Sequence, residues 1–187
     1  MFRFLNMLLV AVMACLFFQC QSSISSATTQ EEKAFFDLRA FFEQEIVRLK
    51  AENPKIKKEI EINGKREEQT QEGVDFEKEL AIFMRADINK PAWREKYKVD
   101  STMVVDRLAR LAYAAIDSSL KTRLLFIEFD QKEAVEKVFI SNKTNSPLIQ
   151  SEQQLTFEPA KGYRIENKQD LSLSKDSQLT IVATFSR

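Results

Sequence analysis

The chain has 187 residues, carries 28 Lys plus Arg against 28 Asp plus Glu, and contains no histidine. Balanced charge leaves no basic field to hold nucleic acid, and the missing histidine removes the commonest general base, proton shuttle and metal ligand together. Both cysteines, Cys15 and Cys20, lie near the start, and the three glycines, Gly64, Gly73 and Gly162, form no phosphate-cradling pattern. An enzyme built from the rest would depend on Asp, Glu, Lys, Tyr and Ser. The expectation is therefore a non-enzymatic protein with no cofactor, no metal and no nucleic-acid partner.

The opening segment, MFRFLNMLLVAVMACLFFQC, sets Arg3 ahead of an apolar run at Met7–Phe18 and ends on Cys20, before the polar tract QSSISSATTQ. So short a run does not cross roughly 30 Å of hydrocarbon, and a positive head, a short apolar run and an abrupt polar switch are the pattern of a cleaved export signal. The segment resembles the type II signal peptide of bacterial lipoproteins, in which the cysteine after the cut carries the lipid. Phe17, Phe18 and Gln19 stand where that family usually has Leu, then Ser or Ala, then Gly or Ala. Loose boxes of this kind occur among lipoproteins of the Bacteroidota. Cys15, preceded by Val12, Met13 and Ala14, is the rival acceptor, and a plain secretory signal cut after Ser23 or Ala27 is the remaining alternative.

The resemblance implies a signal peptide at 1–19 and a membrane anchor of fatty chains, palmitate among them, on Cys20. Each buried CH₂ of such chains contributes on the order of 0.8 kcal/mol. Gln21 follows the cysteine, where an Asp would imply retention at the inner membrane, so the resemblance implies sorting to the outer membrane. Glu31 and Glu32 lie too far from Cys20 to form the acidic cluster of surface-exposed relatives, which implies the periplasmic face.

Residues 20–30, rich in Ser, Thr and Gln, read as a flexible tether spanning on the order of 15–20 Å as a coil. Residues 31–187 then read as a single domain. A first helix is expected over 31–52, with Phe35, Leu38, Phe42, Ile46 and Leu49 in one stripe, Phe36 and Phe41 widening it, and Asn53-Pro54 ending it. Asn63-Gly64 favours a type I′ hairpin turn between an arm bearing Ile56, Ile60 and Ile62 and a polar arm, KREEQTQ, suited to a sheet edge. Asp75 caps a second helix running to about Asn89, with Phe76, Leu80 and Phe83 inward; Pro91 ends it, and Trp93 and Tyr97 follow in a short turn.

From Val99 the chain reads as a strand meander. Arg123–Phe129 is apolar on both faces, as in a central strand covered on each side. Val135–Ser141, Ile149–Phe157, Tyr163–Leu173 and Leu179–Phe185 follow at hairpin spacing. Val104–Ile116 reads as a strand leading into a turn at Asp117-Ser118-Ser119, although Val104, Leu108, Leu111 and Ala115 would also form a helical stripe. The fold class expected is α+β: two N-terminal helices and a β-hairpin packed on a largely antiparallel meander sheet.

Candidate chemistry is sparse. Glu67 with Glu68, Glu128 with Asp130, and Glu133 with Glu136 are carboxylate pairs of the kind glycoside hydrolysis uses, but solvated acids account for them. Asn142-Lys143-Thr144 matches a glycosylation sequon, a reading that presumes a eukaryotic secretory pathway. Phe35 and Phe42 either fill the core or cover an apolar cavity between helices and sheet. Trp93 either anchors a partner or seals the junction of helix and sheet. The function expected is a lipid-anchored cell-envelope protein with a binding or structural role toward a protein partner. The alternative is a carrier or sensor of an apolar small molecule, alike in architecture to the helix-lidded half-barrel lipoprotein carriers.

Overall fold

The computed structural model describes residues 33–171 and 176–186. The signal peptide, Cys15, Cys20, Gln21 and the tether lie outside the described residues. The element order is α1 (Leu38–Glu52), β1 (Lys55–Ile62), β2 (Lys65–Gln71), α2 (Phe76–Met84), a 3₁₀ turn at Pro91–Trp93, then β3 (Tyr97–Val104), β4 (Arg107–Ala115), β5 (Thr122–Phe129), β6 (Val135–Asn145), β7 (Ile149–Glu158), β8 (Gly162–Leu171) and β9 (Ser177–Ser186). The fold is α+β, an antiparallel nine-stranded sheet in the order β2-β1-β9-β8-β7-β6-β5-β4-β3 with two helices.

Two parts of the expected arrangement are corrected. The helices are not both N-terminal, because α2 follows the hairpin rather than preceding the strands as a pair with α1. Nor is the hairpin packed on a separate meander: β1 pairs along its whole length with β9, Lys55 opposite Ser186 through Ile62 opposite Leu179, so the hairpin extends the same sheet. Unpaired backbone groups on β1 and β9 drive that union, since a strand left open carries a full row of unsatisfied donors and acceptors.

Local chemistry sets the element ends. Asp37 caps α1: its carboxylate accepts from Ala40 N at 3.0 Å, satisfying one of the free amides of the first turn. Asn89 fixes the approach to that cap, accepting from Phe35 N at 3.0 Å and donating to Phe36 O at 2.9 Å. At the other end Asn53 takes the left-handed conformation (φ 44°) that terminates a helix. Asp75 caps α2 as expected, but the helix stops at Met84 instead of about Asn89. There the bonds tighten to Ala86 N to Phe83 O and Asp87 N to Met84 O, turning wholly buried Ile88 inward.

The Asn63-Gly64 turn forms with φ of 50° and 81°. The stretch 104–116 is extended but not one strand: Val104 closes β3, Val105-Asp106 make a two-residue turn, and β4 begins at Arg107. Both helices lie on one face of the sheet, over the rows that carry Leu125, Ile127, Val138, Phe157, Tyr163 and Ala183. The expectation that β5 is covered on both sides is therefore corrected. Leu125 and Ile127 are wholly buried, whereas Leu124 and Phe126 on the opposite face are only partly so, with Arg110 lying 5.5 Å over the Phe126 ring.

Candidate functional site

Leu38, Phe42, Ile46 and Leu49 turn inward from α1, as their helical spacing requires, and Phe35, ahead of the helix, is buried as well. Phe42 is fully buried, stacked on Phe83 at 5.1 Å between ring centroids and edge-on to Phe157 at the same separation. Phe83 meets Phe157 at 5.9 Å and Tyr163 at 6.1 Å, so the space between the helices and β7–β8 is occupied by interlocked rings. Phe35 sits just before α1, edge-on to Tyr97 and Tyr113. Trp93 is partly buried against the core, tilted 6.3 Å from Tyr97 and covered by Lys90 Nζ at 4.0 Å from its ring. The three residues are thus spread along one aromatic layer and do not converge on a common opening.

The carboxylate pairs do not converge either. Glu67 stands opposite Ile60 and Glu68 opposite Glu59, on different faces of the β1–β2 ribbon. Asp130 is committed to its turn, accepting from Lys132 N at 2.7 Å and Ala134 N at 3.0 Å. No group of three or more metal-ligating side chains comes together among the described residues.

The structure does assemble a polar cluster that the sequence reading passed over. Lys58, only 7 % exposed, donates to Glu79 Oε1 at 2.6 Å, and the Tyr163 hydroxyl donates to Glu79 Oε2. The signal was present in β1: Ile56, Lys58 and Ile60 alternate onto one face, which places a lysine in an apolar row. In α2, Glu79 follows Phe76 by three and precedes Phe83 by four, on the buried stripe. Burial, then the adjoining Glu79 carboxylate, pushes the Tyr163 phenol far above its ordinary range, so it stays a donor. Burial also pushes Tyr97 up to about 12, its hydroxyl donating to Thr122 O at 2.9 Å. Phenols held neutral in this way position neighbours but offer no nucleophile or base near neutral pH.

The β3–β4 arm differs in character. Val99 (51 % exposed), Met103 (58 %), Val104 (43 %) and Val105 (92 %) are large apolar side chains turned to solvent on or beside an edge strand. Val105 is held at φ 48° and Asp106 at φ 59°. A β-branched residue in the left-handed region is strained by roughly 1–2 kcal/mol. The opposite edge, β2, instead presents Lys65, Arg66, Glu67 and Glu68, the charges that discourage strand addition. Comparison of the chain with models of known protein families, with curated proteins and with solved structures found no match.

Proposed function

We propose that this chain is a lipid-anchored protein of the bacterial cell envelope, held by Cys20 at the periplasmic face of the outer membrane, whose α+β domain binds a partner protein without catalysis. The observation that carries the binding role is the asymmetry of the sheet edges. β2 presents four charged residues in succession, while β3, which bears Lys98 and Asp100, also offers unpaired backbone groups flanked by exposed Val99, Met103 and Val104. An edge of that kind recruits an extended segment from a partner: main-chain hydrogen bonds give affinity, and alternate side chains give selectivity. The lipoprotein part rests on the segment ending at Cys20.

The carrier reading has less support. Phe35 and Phe42, its expected lining, are packed against other rings. A photo-reactive residue placed at Val99 or Met103 in the intact envelope tests the proposal. A discrete cross-linked species from β3 positions, absent from Arg66 on β2 and lost on Val104→Lys, is expected. Equal cross-linking from both edges, or none from β3, would refute it. Metabolic labelling with an alkyne fatty acid tests the anchor: Cys20→Ser should abolish the label, and Cys15→Ser should leave it.

A further inference from the structure

The helix-bearing face of the sheet continues past the aromatic layer for two more rows. Asn142, Gln153 and Asn167 form one across β6–β8, two residues along from buried Ile140, Leu155 and Ile165; Thr144, Ser151 and Gln169 form the next. With Lys121 they line a pocket of about 180 Å³. Two contacts hold its wall: Asn142 Nδ2 donates to Gln153 Oε1, and Ser151 Oγ donates to Asn167 Oδ1, both at 3.1 Å.

Asn142 is 5 % exposed, and its Oδ1 has no hydrogen-bond partner among the described residues. A buried acceptor left in that condition is destabilising by roughly 1–3 kcal/mol, a penalty removed when the Asn142 amide turns its oxygen toward a donor in the pocket. The lining narrows what that donor belongs to. Among the described residues it contains no carboxylate and no aromatic ring, and the one charged group there, Lys121, is exposed. Amides and hydroxyls each donate and accept, so the wall complements a neutral ligand whose own groups do both. A carboxylate would bring only acceptors to Asn142 Oδ1, phosphate would bring negative charge to a wall whose one cation is exposed, and an apolar ligand would leave the oxygen bare. At ~30 Å³ per water, the pocket has the bulk of about six waters, which suits a single ring of hydroxyls.

We propose that the Asn142 pocket binds one neutral, hydroxyl-rich unit, a sugar ring or small cyclic polyol. The site is separate from the β3–β4 arm and does not depend on the partner-binding proposal. The test follows the side-chain amide NMR signals of Asn142, Gln153, Asn167 and Gln169 in the full chain, during titration with N-acetylglucosamine, glucose, inositol and inorganic phosphate. At least one neutral probe should give saturable shifts of these signals at millimolar concentration, and phosphate should give none. Asn142→Leu, which deletes the acceptor, should weaken binding about tenfold, equivalent to ~1.4 kcal/mol. Ser151→Ala, at a partly exposed position, supplies a second variant should Asn142→Leu not fold, and should weaken it severalfold. Absence of saturable shifts with all three neutral probes, as for a pocket holding only water, would overturn the proposal. So would equal shifts with phosphate, or affinity unchanged in both variants.

Discussion

Replacing Glu79 by leucine removes the acceptor for both the Lys58 ammonium and the Tyr163 hydroxyl. At 2.6 Å the gross attraction between Lys58 and Glu79 is about 6 kcal/mol for an effective dielectric of ~20. Withdrawing each ion from water opposes it by several kcal/mol, so the net worth of the intact pair is small. The asymmetry appears when one member is deleted. Lys58, with a side chain 9 % exposed, then holds a charge without compensation, and Glu79→Leu should destabilise the domain by about 3–5 kcal/mol. Lys58→Met added to Glu79→Leu should recover most of that loss, leaving the unpaired Tyr163 hydroxyl at about 1–3 kcal/mol, which Tyr163→Phe should then relieve. Urea denaturation followed by far-ultraviolet circular dichroism measures each step. A loss below about 1 kcal/mol for Glu79→Leu alone would show that Lys58 reaches water and would refute the buried-pair argument.

Phe42→Ala should lower stability by about 3–5 kcal/mol in the same denaturation assay, since the ring is fully enclosed between Phe83 and Phe157. Gly162→Ala should destabilise strongly at φ 136°, because a Cβ there would stand 2.0 Å from Ala183 O; loss of the folded far-ultraviolet spectrum checks it. Val105→Asn should stabilise by about 1 kcal/mol, because asparagine tolerates the left-handed conformation that valine resists; a raised urea midpoint is the readout. All three tyrosines, Tyr97, Tyr113 and Tyr163, have phenols raised by burial. The unfolded chain therefore releases these protons first, near pH 10, so stability is full below that pH and falls as pH rises above it. Phenolate absorbance should stay low in the folded protein past pH 10 and develop together with unfolding, whereas a normal titration with the fold intact would refute the assignment.

Elements with a self-contained local signal were legible in the sequence. The four-residue stripe of α1 (Leu38, Phe42, Ile46 and Leu49), the Asp75 cap and the Asn63-Gly64 turn each depend on neighbours within one turn or ribbon, and they appear where spacing puts them. The Val105-Asp106 turn was not legible, because valine is not a residue that favours positive φ and only the pairing of β3 with β4 imposes it. The start of α1 at Leu38 depends on Asn89, far along the chain, which holds Phe35 and Phe36 out of the helix. The continuation of β6 through Asn142–Asn145 was hidden for the same reason: Asn, Lys and Thr resemble a loop until Gln150–Gln153 pairs beside them. The polar pocket arises from that pairing, so its residues carry no pattern of their own.

The union of β1 with β9 has a kinetic consequence. Ile56 meets Phe185 and Ile62 meets Leu179, so strands formed near the start of the domain find their neighbour only among residues synthesised near its end. Loop closure over such separations is slow. Until β9 is free to insert between β8 and β1, both strands expose open edges and Ile56 has no cross-strand cover from Phe185. A chain emerging vectorially, from a ribosome or across a membrane, therefore cannot complete this sheet before β9 is released. The β3–β8 meander can pair as it emerges, but the hairpin β1–β2 joins it only once the last strand has arrived.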